Sequence, residues 1–238
     1  MDKEARPIGP FVAFEGAEFP TGQTLVGRHV RMEKINVERH GSGLWAQMAG
    51  ADQLWDYLFE EAPIDEAEFL AGLRITVARD DWSGYAVCLP DGSPVGYAFH
   101  LNIVPQMGTI EVGNINFSPT LQRTPAATEA MFLMMQHVFA LGYRRYEWKC
   151  NALNAPSRRA AQRLGFSWEG IFRQHLVVKG RNRDTAWLAM TDGEWPALEA
   201  AFQTWLSPDN FDGNGHQRQT LRALTTPCRV ASDPNQAT

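Results

Sequence analysis

Two short stretches that open predicted helices carry residue types suited to binding and activating a ligand. The first, "LQRTPAAT" (121–128), leads from a predicted strand that ends at Phe117 into a helix that begins near Pro125. A helix N-terminus presents unpaired N–H groups and about half a positive charge, and small residues such as Ala126 and Ala127 let an anion approach the backbone. An ordinary capped helix with a proline in its first turn explains the same residues. The spacing alone therefore leaves an anion site as one of two interpretations.

The second stretch, "NAPS" (154–157), places an asparagine and a serine three residues apart at the start of a predicted helix. The amide of Asn154 can bond to the amides of an extended ligand, and the hydroxyl of Ser157 can give a proton to a leaving group. Asparagine is also a common helix cap, so this stretch does not settle the function by itself.

Hydrophobic periodicity and turn signals predict the elements that position these stretches. A strand (25–35), a helix capped by Asn36 (36–49), an aromatic turn (52–58) and a helix (65–79) come first. Strands at 84–89, 95–104 and 109–117, a helix ending at Gly142, a strand at 144–150, a helix at 154–166, a hairpin at 167–191 and a helix at 194–206 follow. The tight turns predict an antiparallel sheet, while the helix between the fourth and fifth strands makes that one pair parallel.

Taken together and in this order, the motifs resemble the GNAT acyltransferase superfamily, in the branch of the ribosomal-protein-alanine N-acetyltransferases. The resemblance covers roughly residues 23–206 and rests on "IEVGNINFSPTLQRTPAATEA", "YEWKCNALNAPSRRAAQRLGF" and "FRQHLVVKGRNRDTAWLAM". It implies an α+β fold with a mixed, mostly antiparallel seven-stranded sheet whose parallel fourth and fifth strands splay apart. It also implies a domain at 23–206, between an N-terminal arm (1–22) and a C-terminal tail (207–238).

In that superfamily a Q/R-x-x-G-x-G/A loop binds the diphosphate of acetyl-CoA, the acyl donor, through backbone N–H groups. The matching positions here are Gln122, Arg123, Thr124, Pro125, Ala126 and Ala127. Pro125 stands where the family usually has glycine, and proline has no N–H.

The resemblance also assigns positions along the pantetheine arm of the donor. Backbone groups of Asn116, Phe117 and Ser118 are expected to contact the pantetheine and the thioester carbonyl. Asn154 is expected to bind the pantetheine, and Ser157 to lie near the sulfur.

An acceptor amine must lose a proton before it attacks, at a cost near pH 7 of about 4 kcal/mol for an alkylamine and about 1.4 kcal/mol for an α-amine. Glu111 occupies the position at which this branch often carries a candidate base, although a solvated carboxylate on an edge strand explains it equally well. Ala161 stands where many relatives carry a tyrosine acid. Ser157 is therefore the candidate acid, unless the thiolate leaves without help.

The resemblance places further side chains near the acceptor, although aromatic residues here can equally be core and a lone strand histidine is commonly structural. These are Trp55, Tyr57, His100, Arg173 and His175. The acceptor is predicted to be a primary amine, either a protein N-terminus or a small molecule. A different class of function is a non-catalytic module that binds acyl-CoA as a sensor or assembles with a partner, which the Pro125 departure and the missing tyrosine favour.

The overall composition argues against several other classes of protein. A formal charge of −5 and a pI near 5.7 disfavour a nucleic-acid binder. The six histidines show no paired ligand spacing, so no metal is expected. Cys88 and Cys150 lie in apolar, strand-like runs and are predicted to be buried thiols, and an odd count of three cysteines without a C-x-x-C motif predicts a reducing cytoplasm. No apolar run reaches the roughly 18 residues of a membrane helix, and the first residues lack the apolar core of a signal peptide. The sequence is compatible with a homodimer.

Overall fold

The computed structural model describes residues 8–236, and eight strands form one sheet in the spatial order β1-β2-β3-β4-β5-β6-β8-β7. The strands are β1 (Leu25–Val26), β2 (Arg31–Lys34), β3 (Ser83–Cys88), β4 (Pro94–Val104), β5 (Thr109–Phe117), β6 (Arg145–Asn151), β7 (Ser167–Val178) and β8 (Arg181–Thr191). Within the described chain, β5 and β6 are the one parallel pair of neighbours. The predicted mixed, mostly antiparallel sheet is confirmed.

The strand count differs by one from the seven predicted. Residues 25–35 form a hairpin of two short strands, because the chain turns between Gly27 and Val30, whose N–H and carbonyl bond at 2.9 Å. The turn is held from outside by the buried carboxylate of Glu129, which accepts the backbone N–H groups of Arg28, His29 and Val30. A partner about 100 residues distant in sequence thus decides a local fold that the alternating pattern could not show.

Within residues 8–236 six helices accompany the sheet: α1 (Val37–Met48), α2 (Glu66–Val77), α3 (Pro125–Ala140), α4 (Ala155–Arg163), α5 (Trp195–Leu206) and α6 (Leu221–Thr225). The predicted cap of α1 is confirmed, since the Asn36 side chain accepts the Arg39 N–H at 2.8 Å. No helix among residues 8–236 combines the length and the apolar composition needed to span a bilayer.

The sheet separates two hydrophobic cores. Helices α1 and α2 pack on one side, which we call the α1/α2 face, and its core includes Leu44, Phe69 and Phe99. Helices α3 to α6 pack on the other side, the α3 face, where the larger core lies. Paired residues in neighbouring strands share a face, so the β4–β5 register places Glu111 beside Leu101 on the α1/α2 face and Val112 beside His100 on the α3 face.

Both chain ends that border the predicted domain pack on it. In the N-terminal arm, the N–H groups of Ala17 and Glu18 bond the carbonyls of Pro105 and Leu141 at 3.0 and 2.9 Å. In the C-terminal segment, the buried Asp233 lies 3.3 Å from the Arg158 guanidinium of α4. The residues that follow α5 therefore continue along α4 as an ordered strap.

Candidate active site

An open cleft lies between the two parallel strands. Their pairing covers only Thr109–Val112 of β5 and Arg145–Trp148 of β6, although β5 continues to Phe117 and β6 to Asn151. Backbone groups of β5 beyond Val112 therefore have no ladder partner on the β6 side. The predicted splay of this pair is confirmed.

A β-bulge in β5 lies at the point where the strands part. Tyr97 pairs with Asn116 and Phe99 pairs with Gly113, so β5 has one more residue than β4 in this interval. Asn114 absorbs the extra residue with a φ of 45°, in the left-handed region that asparagine tolerates better than most residues. This bulge was not predicted from the sequence. The Gly-Asn pair inside an otherwise apolar strand was the signal for it.

The loop from β5 to α3 folds as a preorganised turn. Thr124 caps α3, since its hydroxyl accepts the Ala127 N–H at 3.1 Å and donates to the Leu121 carbonyl at 2.6 Å. The Gln122 amide folds back to the Phe117 carbonyl at 2.8 Å. Arg123 is exposed and has a φ of 63°, which turns the chain into the helix.

The first turn of α3 limits which N–H groups can reach a ligand. Pro125 has no N–H, and the N–H of Ala127 is taken by the cap. In the described part of the chain the N–H of Ala126 has no side-chain acceptor, so it is the donor of this turn best placed to bond an anion.

Two of the residues expected along the pantetheine already make internal bonds. Ser118 is fully buried, and its N–H bonds the Val95 carbonyl at 3.1 Å while its own carbonyl accepts from Leu121 and Gln122. The Asn116 amide donates to the Tyr97 hydroxyl at 3.2 Å.

The start of α4 lies on the other side of the cleft. Asn154 is the cap of α4, because its Oδ1 accepts the Ser157 N–H at 3.0 Å, which leaves its Nδ2 hydrogens for other partners. The Ser157 hydroxyl oxygen accepts from the Trp148 indole N–H at 3.0 Å, so its own hydrogen points elsewhere. Ala161 is fully buried, in the core on the α3 face.

A row of charged side chains crosses the α1/α2 face at the closed end of the cleft. The Lys149 ammonium lies 2.9 Å from Glu111 and 2.8 Å from Glu147, and it sits 4.0 Å from the centre of the Trp187 ring. Asn102 donates to Glu111 at 2.6 Å. Glu111 is only 5% exposed and lies on an inner strand, so the alternative interpretation as a solvated edge carboxylate is wrong.

The surroundings of the two carboxylates of this row shift their pKa values in opposite directions. Burial raises the pKa of Glu111, and Lys149 only partly opposes this effect. Burial also acts on Glu147, but Arg145 and Lys149 hold its pKa below the ordinary value. A raised pKa makes a carboxylate the stronger base, so Glu111 is better suited than Glu147 to accept a proton near neutral pH.

The segment after α1 reaches over the end of β6. The Tyr57 hydroxyl donates to the Leu153 carbonyl at 3.4 Å, and the Lys179 ammonium at the β7–β8 turn donates to the Trp55 carbonyl at 2.8 Å. Tyr57 is partly exposed, whereas Trp55 is buried with its ring edge against Phe69. Of this aromatic pair, Tyr57 is therefore the one with surface available to a ligand.

The expectation that His100 faces the acceptor is corrected by the structure. His100 is fully buried on the α3 face, opposite Glu111, and its Nε2 lies 3.0 Å from the Tyr146 hydroxyl. Burial lowers its pKa to about 3, so the ring is neutral. Strand β4 is buried on both faces, so its apolar pattern did not reveal the direction of the side chain.

The other two predicted acceptor residues lie on the exposed part of β7. Arg173 and His175 line an open groove, and His175 Nδ1 lies 3.0 Å from the Thr185 hydroxyl on β8. Thr185 pairs with Asn151, the last residue of β6, so this groove borders the end of the strand that carries Lys149.

Comparisons with known proteins agree with this geometry. A family model described as an acetyltransferase (GNAT) domain matches residues 34–167. A GCN5-related N-acetyltransferase from Brucella melitensis is 48% identical, covers 89% of this chain and 97% of its own, and superposes with a TM-score of 0.86. A comparison with curated proteins found no match.

Two further solved structures share the fold. A protein from Chromobacterium violaceum, described as a probable acetyltransferase of the GNAT family, is 41% identical over 80% of this chain and 98% of its own, with a TM-score of 0.77. RimJ from Mycobacterium smegmatis, in complex with CoA-disulfide, is 20% identical over 77% of this chain and 94% of its own, with a TM-score of 0.64. The chain therefore belongs to the GNAT acetyltransferase family, and it is an acetyl-CoA-dependent N-acetyltransferase.

Proposed function

We propose that this enzyme transfers the acetyl group of acetyl-CoA to a primary amine by direct attack within a ternary complex, with Glu111 as the base. One observation carries the proposal. Glu111 lies one residue before the last paired position of β5, Val112, so its carboxylate stands where the two strands part. A thioester placed at the closed end of the cleft would meet an amine held by that carboxylate.

The loop before α3 and the start of α4 are the parts we assign to coenzyme A. The pyrophosphate lies against the loop at 122–127, with the Ala126 N–H and the Arg123 guanidinium as donors. The Ser118 N–H points to β4, so alternation along an extended strand turns the preceding Phe117 N–H toward the cleft, where it meets the pantetheine or the thioester carbonyl. The Asn154 amide donates to a pantetheine carbonyl.

In the reaction the amine nitrogen bonds to the thioester carbon and the carbon–sulfur bond breaks. Before this attack the acceptor ammonium gives a proton to Glu111, directly or through water. After the attack the nitrogen loses its second proton to solvent, and the departing thiolate takes a proton from solvent or from Ser157, which regains one from solvent. Ala161 supplies no acid at the position of the family tyrosine.

Direct attack is favoured over an acyl-enzyme because the cysteines are poor nucleophiles here. Burial raises the pKa of Cys88 to about 11, and it also raises the pKa of Cys150 and Cys228. A thiol must ionise before it attacks a thioester, so these side chains stay inert near neutral pH. All three are free thiols, which fits the proposed location in the reducing cytoplasm.

The proposal is tested by thiol release from acetyl-CoA over a panel of small amines and N-terminal peptides. We expect turnover on one class of primary amine, with the acetylated product identified by mass. No turnover on any amine, together with binding of coenzyme A seen by calorimetry, would instead indicate a non-catalytic module.

The cap of α4 allows the coenzyme A role of Asn154 to be separated from its structural role. Asn154→Asp keeps an oxygen for the Ser157 N–H but removes the Nδ2 donor, so we expect KM for acetyl-CoA to rise about tenfold with unchanged thermal stability. Asn154→Ala should raise KM similarly and also lose about 1 kcal/mol of stability. Equal KM values for wild type and Asn154→Asp would remove Asn154 from the coenzyme A site.

A further inference from the structure

Arg183 is a buried cation placed beyond the end of β6. The pairing of β8 with β6 ends at Thr185, which pairs with Asn151. Arg183 precedes Thr185 by two residues and therefore lies outside the part of β8 that pairs with β6. Side chains alternate along a strand, so Arg183 shares the α1/α2 face with Thr185 and with Trp187, the residue that contacts Lys149. Arg183 therefore borders the cleft on the face that carries Glu111.

The Arg183 guanidinium has no counter-ion in the described part of the chain. The residue is only 7% exposed, its Nε is buried without a hydrogen-bond acceptor, and no carboxylate lies within ion-pair distance. Its guanidinium carbon lies 4.8 Å from the centre of the Phe59 ring. By contrast Arg158, which is similarly buried, is paired with Asp233.

A buried guanidinium without an anion is costly, and burial lowers the pKa of Arg183 in agreement with this cost. The charge of Glu111 partly offsets that shift, and the strand registers place both side chains on the α1/α2 face. The row formed by Glu111, Glu147 and Lys149 continues to Arg145 and Glu169, so this cluster carries three negative charges and two positive charges. Its net charge of about −1 lies beside the single positive charge of Arg183.

We infer that Arg183 binds the carboxylate of the acceptor, and that the acceptor is a small aminocarboxylate. This inference rests on the proposed function. The ammonium of such a molecule is drawn to Glu111, and its carboxylate matches the planar fork of the guanidinium. The pyrophosphate loop leads into α3 on the opposite face of the sheet, so the donor does not supply this anion.

The test compares free amino acids with their carboxamides as acceptors. The amine of a carboxamide is the weaker base and is more readily deprotonated, so basicity alone would favour the amide. We expect wild type to prefer the free acid by about 10–100-fold in kcat/KM, as charge-assisted hydrogen bonds permit. Arg183→Gln should lose this preference while keeping turnover of the amide, and Arg183→Lys should keep part of it.

Three controls make the result decisive. Arg181→Gln removes an exposed arginine at the hairpin turn and should keep the wild-type preference. Arg183→Met should unfold at no lower urea concentration than wild type, because it removes an uncompensated charge, whereas a structural arginine would lose stability. Peptides with an acidic second residue are tested as acceptors in parallel. Faster turnover of these peptides than of any free amino acid would contradict the inference that the acceptor is a small molecule.

Binding is measured independently of turnover. Calorimetry of amino acids against the enzyme with coenzyme A should show binding to wild type and none to Arg183→Gln. This binding result does not depend on turnover. Binding without acetylation would contradict the proposed function but not the role of Arg183, so the two failures can be told apart. Equal preference for acid and amide in wild type, or equal loss of both in Arg183→Gln, would contradict the role of Arg183.

Discussion

Replacing Glu111 with glutamine should lower kcat by about 10²–10⁴-fold, the range that a positioned general base contributes. Glutamine retains the size of the side chain and can still accept from Asn102, but it cannot accept the proton that the acceptor ammonium must lose before it attacks. The loss should appear in kcat more than in KM for acetyl-CoA, because Glu111 lies on the α1/α2 face, where we propose that the acceptor binds. Steady-state thiol release with saturating acceptor measures the change.

The pH profile gives this prediction a sharper form. The base acts when it is ionised, so wild-type activity should fall as pH drops through the pKa of Glu111. Because burial raises that pKa, the fall should lie above the ordinary glutamate value of about 4.3. In Glu111→Gln this acidic limb should disappear, leaving only the pH dependence of the amine.

Glu147→Gln is the matched control for this substitution. Glu147 faces Glu111 in the β5–β6 register and touches the same ammonium, but its lowered pKa makes it the weaker base. We expect it to cost a small fraction of the loss seen with Glu111→Gln. Equal losses in both variants would show that the row acts only through its charge, and the assignment of Glu111 as the base would be wrong.

Lys149→Met should cost about 3 kcal/mol of folding stability at neutral pH, since it leaves two largely buried carboxylates without their shared cation. Although burial alone lowers the pKa of Lys149, Glu111 and Glu147 hold it above the ordinary lysine value, so wild type keeps this ammonium charged. The methionine side chain fills the same space beside Trp187. Urea unfolding at several pH values measures the deficit.

The sign of the pH dependence follows from the carboxylates. Without Lys149 the pKa of Glu111 in the folded state rises further above its unfolded value. A raised carboxyl pKa favours folding below the unfolded pKa and disfavours it as pH rises through the folded pKa. The deficit of Lys149→Met should therefore shrink toward pH 4 and grow toward neutrality. As a control, Lys34→Met at an exposed position should leave the folding stability unchanged at every pH. A deficit of Lys149→Met that did not change with pH would show lost packing rather than lost charge.

The sequence was informative where a local rule decides the structure. Asn36 and Asn154 were predicted as caps because short polar side chains satisfy the first N–H groups of a helix, and both do so. The parallel pair was predicted because a helix must connect two strands that run in the same direction. The family was predicted from motifs that span both sides of this connection.

The sequence was less informative where distant residues decide the structure. The split of β1 from β2 depends on the Glu129 carboxylate in α3, and the strap after α5 depends on Asp233 meeting Arg158. The alternation of Glu147 and Lys149 along β6 was visible in the sequence. Only the register with β5 brings Glu111 to the same ammonium, and no local pattern encodes that register.

The most direct test of the account is a two-substrate kinetic measurement. Initial rates of thiol release are recorded while acetyl-CoA and the best acceptor amine are both varied. Direct attack in a ternary complex predicts double-reciprocal lines that intersect. Parallel lines, together with acetylated enzyme isolated in the absence of acceptor, would show a covalent intermediate and contradict the mechanism proposed for this cleft.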